Sequence, residues 1–128
     1  MVVLDTSVII DHLRLQKAQA ESRLMRFVRE RPKESLALSM SSIQELYEGQ
    51  STRDAVKEQF LLATIAPLKI LPYTYEAAKL AGEIARDLPR PIELADAAIA
   101  AIAVVNGYAL YTLNKKDFMG IDGLALVD

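Results

Sequence analysis

The chain has 128 residues, 52% hydrophobic and 25% charged, with a formal net charge of −2, the balance of one globular domain large enough for a substantial core. No apolar run reaches the roughly 18 residues of a membrane span, and an acid inside the first apolar run argues against a secretory leader, so a cytoplasmic protein with no membrane partner is expected. With no cysteine and one histidine, disulfides, thiolate metal sites, thiol nucleophiles and two-histidine acid–base chemistry within one chain are excluded.

Met1-Val2-Val3-Leu4 reads as a short buried strand, after which Thr6 or Ser7 can cap a helix through Leu13. Leu24, Phe27 and Val28 give a second helix its apolar stripe, and Pro32 closes it. Leu36 to Met40 is a predicted strand. A helix from Ser42 to Gly49 and an amphipathic helix from Thr52 to Ala66 follow it. Leu68 to Leu71 is a third strand, stopped by Pro72. Ala77, Leu80, Ala81, Ile84, Ala85 and Leu88 then recur at helical spacing. Pro89 and Pro91 separate that helix from an alanine-rich one running from Glu93 to Asn106, which Gly107 ends. Tyr108 to Thr112 and Leu124 to Val127 are the last two predicted strands. Strands alternating with helices imply a single α/β domain over residues 1–128. Its central sheet, mainly parallel with four or five strands, would be covered by helices on both faces.

In such sheets the functional crevice lies at the carboxyl ends of the strands. Three acids occupy unusual positions relative to that edge. Asp5 closes the first apolar run, and Asp96 is the only charge between Leu94 and Val105. Glu45, like Asp96, is expected in the first turn of a helix, where Ser42 and Glu45 also match a capping box. Charges in apolar surroundings are costly unless paired or bound to a metal, and neither Asp has a neighbouring Lys or Arg in sequence. Asp5 could instead cap a helix, and Asp96 could lie on a solvated face. If the three converge, a hard cation reconciles them, and at least one carboxyl would titrate high until the cation binds. Charge is also uneven along the chain. His12 to Lys33 holds seven basic residues (Arg14, Lys17, Arg23, Arg26, Arg29, Arg31 and Lys33) against Glu21 and Glu30. That segment permits a basic rim or a merely solvated helix face. His12, beside Asp11, is expected to be an exposed helix residue.

Four segments, in order, carry a resemblance. Leu4-Asp5-Thr6-Ser7-Val8-Ile9-Ile10-Asp11 is similar to the start of PIN-domain proteins, above all the VapC-type toxins of toxin–antitoxin pairs. Ser41-Ser42-Ile43-Gln44-Glu45-Leu46 with Gly49 resembles their second motif, and Pro91-Ile92 with Ala95-Asp96-Ala97-Ala98-Ile99-Ala100-Ala101 their third. Thr112-Leu113-Asn114-Lys115-Lys116-Asp117-Phe118, then Gly123-Leu124, resembles the closing segment. The resemblance spans essentially the whole chain. It implies a three-layer α/β/α PIN-like domain and a metal-dependent endoribonuclease in which Asp5, Glu45 and Asp96 bind Mg²⁺ or Mn²⁺. Thr6 or Ser7 would offer a nearby hydroxyl. Where many PIN domains carry a fourth acid this chain has Asn114, with Asp117 three residues on, and either could complete the site. Arg14, Arg23, Arg26, Lys115 and Lys116 are candidates for gripping the RNA backbone. The resemblance further implies a homodimer and a cognate VapB-type antitoxin laid across the site, where Leu13, Leu15, Leu24, Phe27 and Tyr47 could line a groove or pack the core.

Other readings use the same first Asp. A PIN-domain nuclease could process RNA outside a toxin–antitoxin pair, or the scaffold could serve only assembly. An aspartate-nucleophile phosphatase or dehalogenase would want an Asp where Ser7 stands. A receiver domain would want one at the end of the third strand, where Leu71-Pro72-Tyr73 stands.

Overall fold

A computed structural model describes residues 1–16 and 18–127; Lys17, counted above in the basic segment, lies outside them. Four parallel strands form one sheet in the order β3-β2-β1-β4: β1 (Val2–Leu4), β2 (Leu36–Ser39), β3 (Lys69–Leu71) and β4 (Ala109–Tyr111). Central β1 is buried on both faces, which is why its sequence is an unbroken apolar run and not an alternating one. Its side chains still divide by the period of two. Val3, with Ala37 of β2 and Leu110 of β4, packs under α5 (Tyr75–Asp87) and α6 (Leu94–Asn106). Leu4 and Leu38 point the other way, toward α1 (Thr6–Leu15), α2 (Arg23–Glu30), α3 (Met40–Glu48) and α4 (Ala55–Ile65). The three-layer expectation holds. Among the described residues no helix is long and apolar enough to cross a membrane.

The strand order decides where a site can form. From β1 the chain builds outward through β2 and β3, then returns to place β4 on the opposite side of β1. The switch point is therefore the crevice between the carboxyl ends of β1 and β4. Buried α6 lies against this sheet: Ala97, Ala98, Ala100, Ala101 and Ala103 are all in the core with Ile99 and Ile102. Methyl side chains let its backbone approach its neighbours closely. Gly107 at φ +70° then ends the helix in the left-handed conformation that a side chain would disfavour.

Several expected boundaries move. Asp5, not Thr6 or Ser7, holds the N-cap position of α1. Helix α3 starts at Met40 because Ser39, extended at the end of β2, accepts the Ser41 N–H through Oγ. Ser42 and Glu45 thus form no capping box. Residues 52–66 do not make one helix: Gln50–Arg53 is a 3₁₀ turn, and Asp54 caps α4 by accepting the N–H groups of Val56 and Lys57. The expected fifth strand shrinks to one parallel bridge, Leu110 with Leu126. Leu110 donates to Ala125 O at 2.8 Å and accepts from Val127 N–H at 2.9 Å, after the chain has turned through Gly120 and Gly123, both at φ +80°. His12 is not simply exposed. Its Nδ1 hydrogen-bonds Ser22 Oγ at 2.7 Å and its ring stacks on Phe60, so it ties α1 to α2 and α4.

Candidate active site

Asp5 is the first residue past β1, and Thr112 the first past β4. They meet across the crevice. Asp5 Oδ2 accepts hydrogen bonds from Thr112 Oγ1 at 2.8 Å and Ser7 Oγ at 2.7 Å. The same hydroxyl oxygens accept main-chain N–H groups from Asn114 at 3.0 Å and Leu113 at 3.3 Å. The Asp5 side chain makes no capping bond to α1, so helix capping does not account for it. No buried side-chain polar atom among the described residues lacks a partner. Asp5 Oδ1, which makes no hydrogen bond with them, therefore reaches solvent. One oxygen is anchored and the other is available.

Glu45 lies in the middle of α3, not in its first turn. Its Oε1 is 2.7 Å from Thr6 Oγ1, and that hydroxyl is 2.8 Å from the fully buried Ser42. Thr6 follows Asp5 directly, so this chain of hydroxyls links the start of α1 to α3. Burial pushes the Glu45 carboxyl above its ordinary range; the Thr6 hydrogen bond opposes this, and the charges of Asp5, Glu48 and Glu93 add to it.

Asp96 stands in the first turn of α6, half-buried, with no hydrogen bond or ion pair to the described residues. Burial raises its carboxyl to about 6, with further contributions from the charges of Asp5, Asp117, Glu93 and Glu45. The charges that raise it are all carboxylates, those of the other two sequence acids among them. Asp117 contributes as well. Asn114 does not carry that charge: it is exposed at the start of the 3₁₀ turn Lys115–Phe118, and its hydrogen bonds run through its main chain.

Among the basic candidates, Arg23 pairs with Asp11 and Arg26 with Glu21 on the surface. Lys115 and Lys116 are exposed in the turn beside Asp117, and Arg14 is exposed on α1. Leu24 and Phe27 are core residues, Leu13 packs against the core, Leu15 is half-buried, and Tyr47 is exposed with its hydroxyl donating to Glu58.

Sequence reasoning missed four residues here. Glu93 is three before Asp96 and Ser42 three before Glu45, spacings that place each on its acid's helical side. Thr112 opens the quoted closing segment, and its hydroxyl was the available signal. Arg90, hydrogen-bonded to the loop that carries Asp117, gave no sequence signal beyond its place between two prolines. Thr112→Val removes the Asp5 donor together with the acceptor for Asn114 N–H. We expect about tenfold lower nuclease activity and a loss of roughly 1–2 kcal/mol of stability, read by initial rates and thermal melts. Thr112→Ser should retain both, and an unimpaired valine variant would remove Thr112 from the site.

The family model for the PIN domain matches residues 2–123. The chain belongs to the PIN-domain family. No curated protein matches this PIN domain significantly. Its fold is similar to that of DNA-bound VapBC from Salmonella typhimurium, with TM-score 0.83 and 25% identity over 99% of this chain and 96% of that one. FitAcB from Neisseria gonorrhoeae superposes with TM-score 0.79 at 24% identity, covering 100% of this chain and 97% of that one. A toxin–antitoxin complex from Klebsiella pneumoniae gives TM-score 0.76 at 23% identity, covering 98% and 96%. PIN domains are nucleases, hydrolases that generally use divalent metal ions. Membership therefore sets aside the phosphatase and receiver-domain readings.

Proposed function

We propose that this PIN domain is a Mg²⁺- or Mn²⁺-dependent endoribonuclease and the toxin component of a type II toxin–antitoxin pair. In this reading Asp5, Glu45 and Asp96 hold the metal and Asp117, not Asn114, is the fourth corner. The observation that carries it is Asp96: a half-buried carboxyl, without a cation among the described residues, raised to about 6 by burial and by four other acids. An acid so placed gains most from a cation.

The donor set is all oxygen, which suits hard cations better than zinc or copper. Among the described residues no three acid or histidine side chains are close enough to enclose an ion unaided. An open site of this kind suits Mg²⁺, which keeps several waters and shares its coordination with substrate phosphate. When bound, the ion supplies an acidified water and stabilises the departing oxygen. The chain's own part is orientation. Ser7 and Thr112 hold Asp5 by one oxygen and Thr6 holds Glu45 by one oxygen, each leaving the other oxygen for ligand. Hydrolysis by a metal-activated water, the mechanism that the family resemblance implies, would leave 5′-phosphate and 3′-hydroxyl ends.

The toxin reading is supported by the similarity over nearly the full chain to VapBC and other toxin–antitoxin complexes. It extends to a VapB-type antitoxin partner and a homodimer in the cytoplasm. The test uses purified, antitoxin-free protein with RNA, and single-stranded DNA in parallel. RNA cleavage is expected with Mg²⁺ or Mn²⁺, stopping with EDTA and returning with excess metal. RNA cleavage undiminished in EDTA, or cleavage of DNA alone, would sink the proposal. A short antitoxin-like reading frame beside the gene would bear on the pairing.

A further inference from the structure

Arg90 sits between Pro89 and Pro91 in the connection from α5 to α6, half-buried. Its Nη2 donates to the carbonyl oxygens of Asp117 at 3.1 Å and Met119 at 2.7 Å. Asp87, Glu93, Asp96 and Asp117 all lie on the segments it joins, and a guanidinium ordinarily gains most from a carboxylate. Arg90 forms no ion pair with any of them. Its donors instead close on two main-chain carbonyls either side of Phe118, a residue 2% exposed in the core beneath α6.

The turn Lys115–Phe118 is a single 3₁₀ turn, too short to fix its own position. Phe118 anchors it from below and Arg90 from the side. Proline on each side of Arg90 limits the backbone of the clamp before it closes. The turn carries Asp117, whose charge acts on Asp96, and like charge disfavours close approach of the two carboxylates. The hydrogen bonds from Arg90 fix the main chain on both sides of Phe118.

We propose that Arg90 is a positioning residue that holds the Asp117 turn against the start of α6 and so sets the spacing of Asp117 from Asp96. This rests on the metal-centre reading above. Arginine suits the role because one terminal nitrogen with two protons reaches both carbonyls; a lysine is shorter.

The test is titration of the metal-free, full-length protein with Mn²⁺, alongside RNA cleavage, at a temperature where melts show every variant folded. Arg90→Ala should weaken Mn²⁺ binding about tenfold and lower kcat more than it raises KM. Arg90→Lys should recover little of either. In an Asp117→Asn background, Arg90→Ala should add no more than about twofold, because the two act through one group. If Arg90→Ala does not fold, Arg90→Gln makes the same comparison. Wild-type Mn²⁺ affinity in the arginine variants, or an effect that adds in full to Asp117→Asn, would overturn the proposal. Asp96→Asn is the reference. If it loses Mn²⁺ binding while Arg90→Ala does not, only the clamp fails; if it also binds normally, the metal-centre reading fails.

Discussion

Asp96→Asn is expected to abolish RNA cleavage while making the metal-free protein more stable at pH 7. The activity loss should be on the order of 10²–10³-fold, comparable with removing one charge-stabilising group from an active site. The gain in stability follows from the sign of the titration. Asp96 titrates at about 6 in the folded chain against an ordinary 3.8. Between those values the folded state keeps a proton that the unfolded state has lost. Stability therefore falls as pH rises from about 4 through about 6 and stays at the lower level at pH 7. Unscreened, the difference would approach 3 kcal/mol; with much of the group facing solvent, about 1 kcal/mol is the reasonable size. Glu45, raised for the same physical reason, adds to the slope in the same direction.

The asparagine variant should thus melt a few degrees higher at pH 7 and show a flatter dependence between pH 4 and 7. Mn²⁺ should raise the melting temperature of the wild type much more than that of the variant. Melts across pH, with and without Mn²⁺, check all three statements. A variant that keeps full activity, or that melts lower than wild type in EDTA at pH 7, contradicts the role given to Asp96.

Asp5→Ala should be equally inactive but move stability the other way. Asp5 is buried, and its Oδ2 accepts from Ser7 and from Thr112, which is 2% exposed. Deleting the carboxylate strands a buried hydroxyl, at roughly 1–3 kcal/mol, and loosens the link between β1 and β4. Asp5→Asn keeps an oxygen to accept those bonds, so it should lose activity with a smaller loss of stability. Chemical denaturation of the two variants separates these effects. If Asp5→Ala is as stable as wild type, the hydroxyl anchor is not what holds that edge together. Two acids in one site thus carry opposite signs, because one is satisfied by hydroxyls and the other faces only like charge.

The legible part of the fold was what burial imposes on composition. Val2 to Leu4 could be read as a buried strand because a parallel strand covered on both faces needs apolar residues throughout. Helix α5 announced itself through Ala77, Leu80, Ala81 and Ile84 at helical spacing. Boundaries were less legible, since capping is settled by which polar side chain reaches a free N–H. Ser39 took that role from Ser42, and Asp54 caps a helix that was expected to begin at Thr52. The expected last strand came down to a single bridge, Leu110 with Leu126, because only Leu110 exchanges main-chain hydrogen bonds with it, through Ala125 and Val127. In the site, Asp5 and Asp96 were visible as charges among apolar neighbours. Asp117 stood out only through the resemblance, Glu93 was not singled out although Ile92 and Leu94 flank it, and the hydroxyls of Ser42 and Thr112 look like any others in sequence.

Sequence by itself pointed to an α/β fold and set Asp5, Glu45 and Asp96 apart from the other acids. Those are consequences of composition and local pattern. Only the tertiary structure decided that β4 returns to the far side of β1. That arrangement opens the crevice, brings Thr112 to Asp5 across more than a hundred residues of chain and places Asp117, with the Arg90 that holds its turn, near Asp96. The reason is physical: a charge anomaly is local, whereas the partner that compensates or opposes it is chosen by the path of the chain.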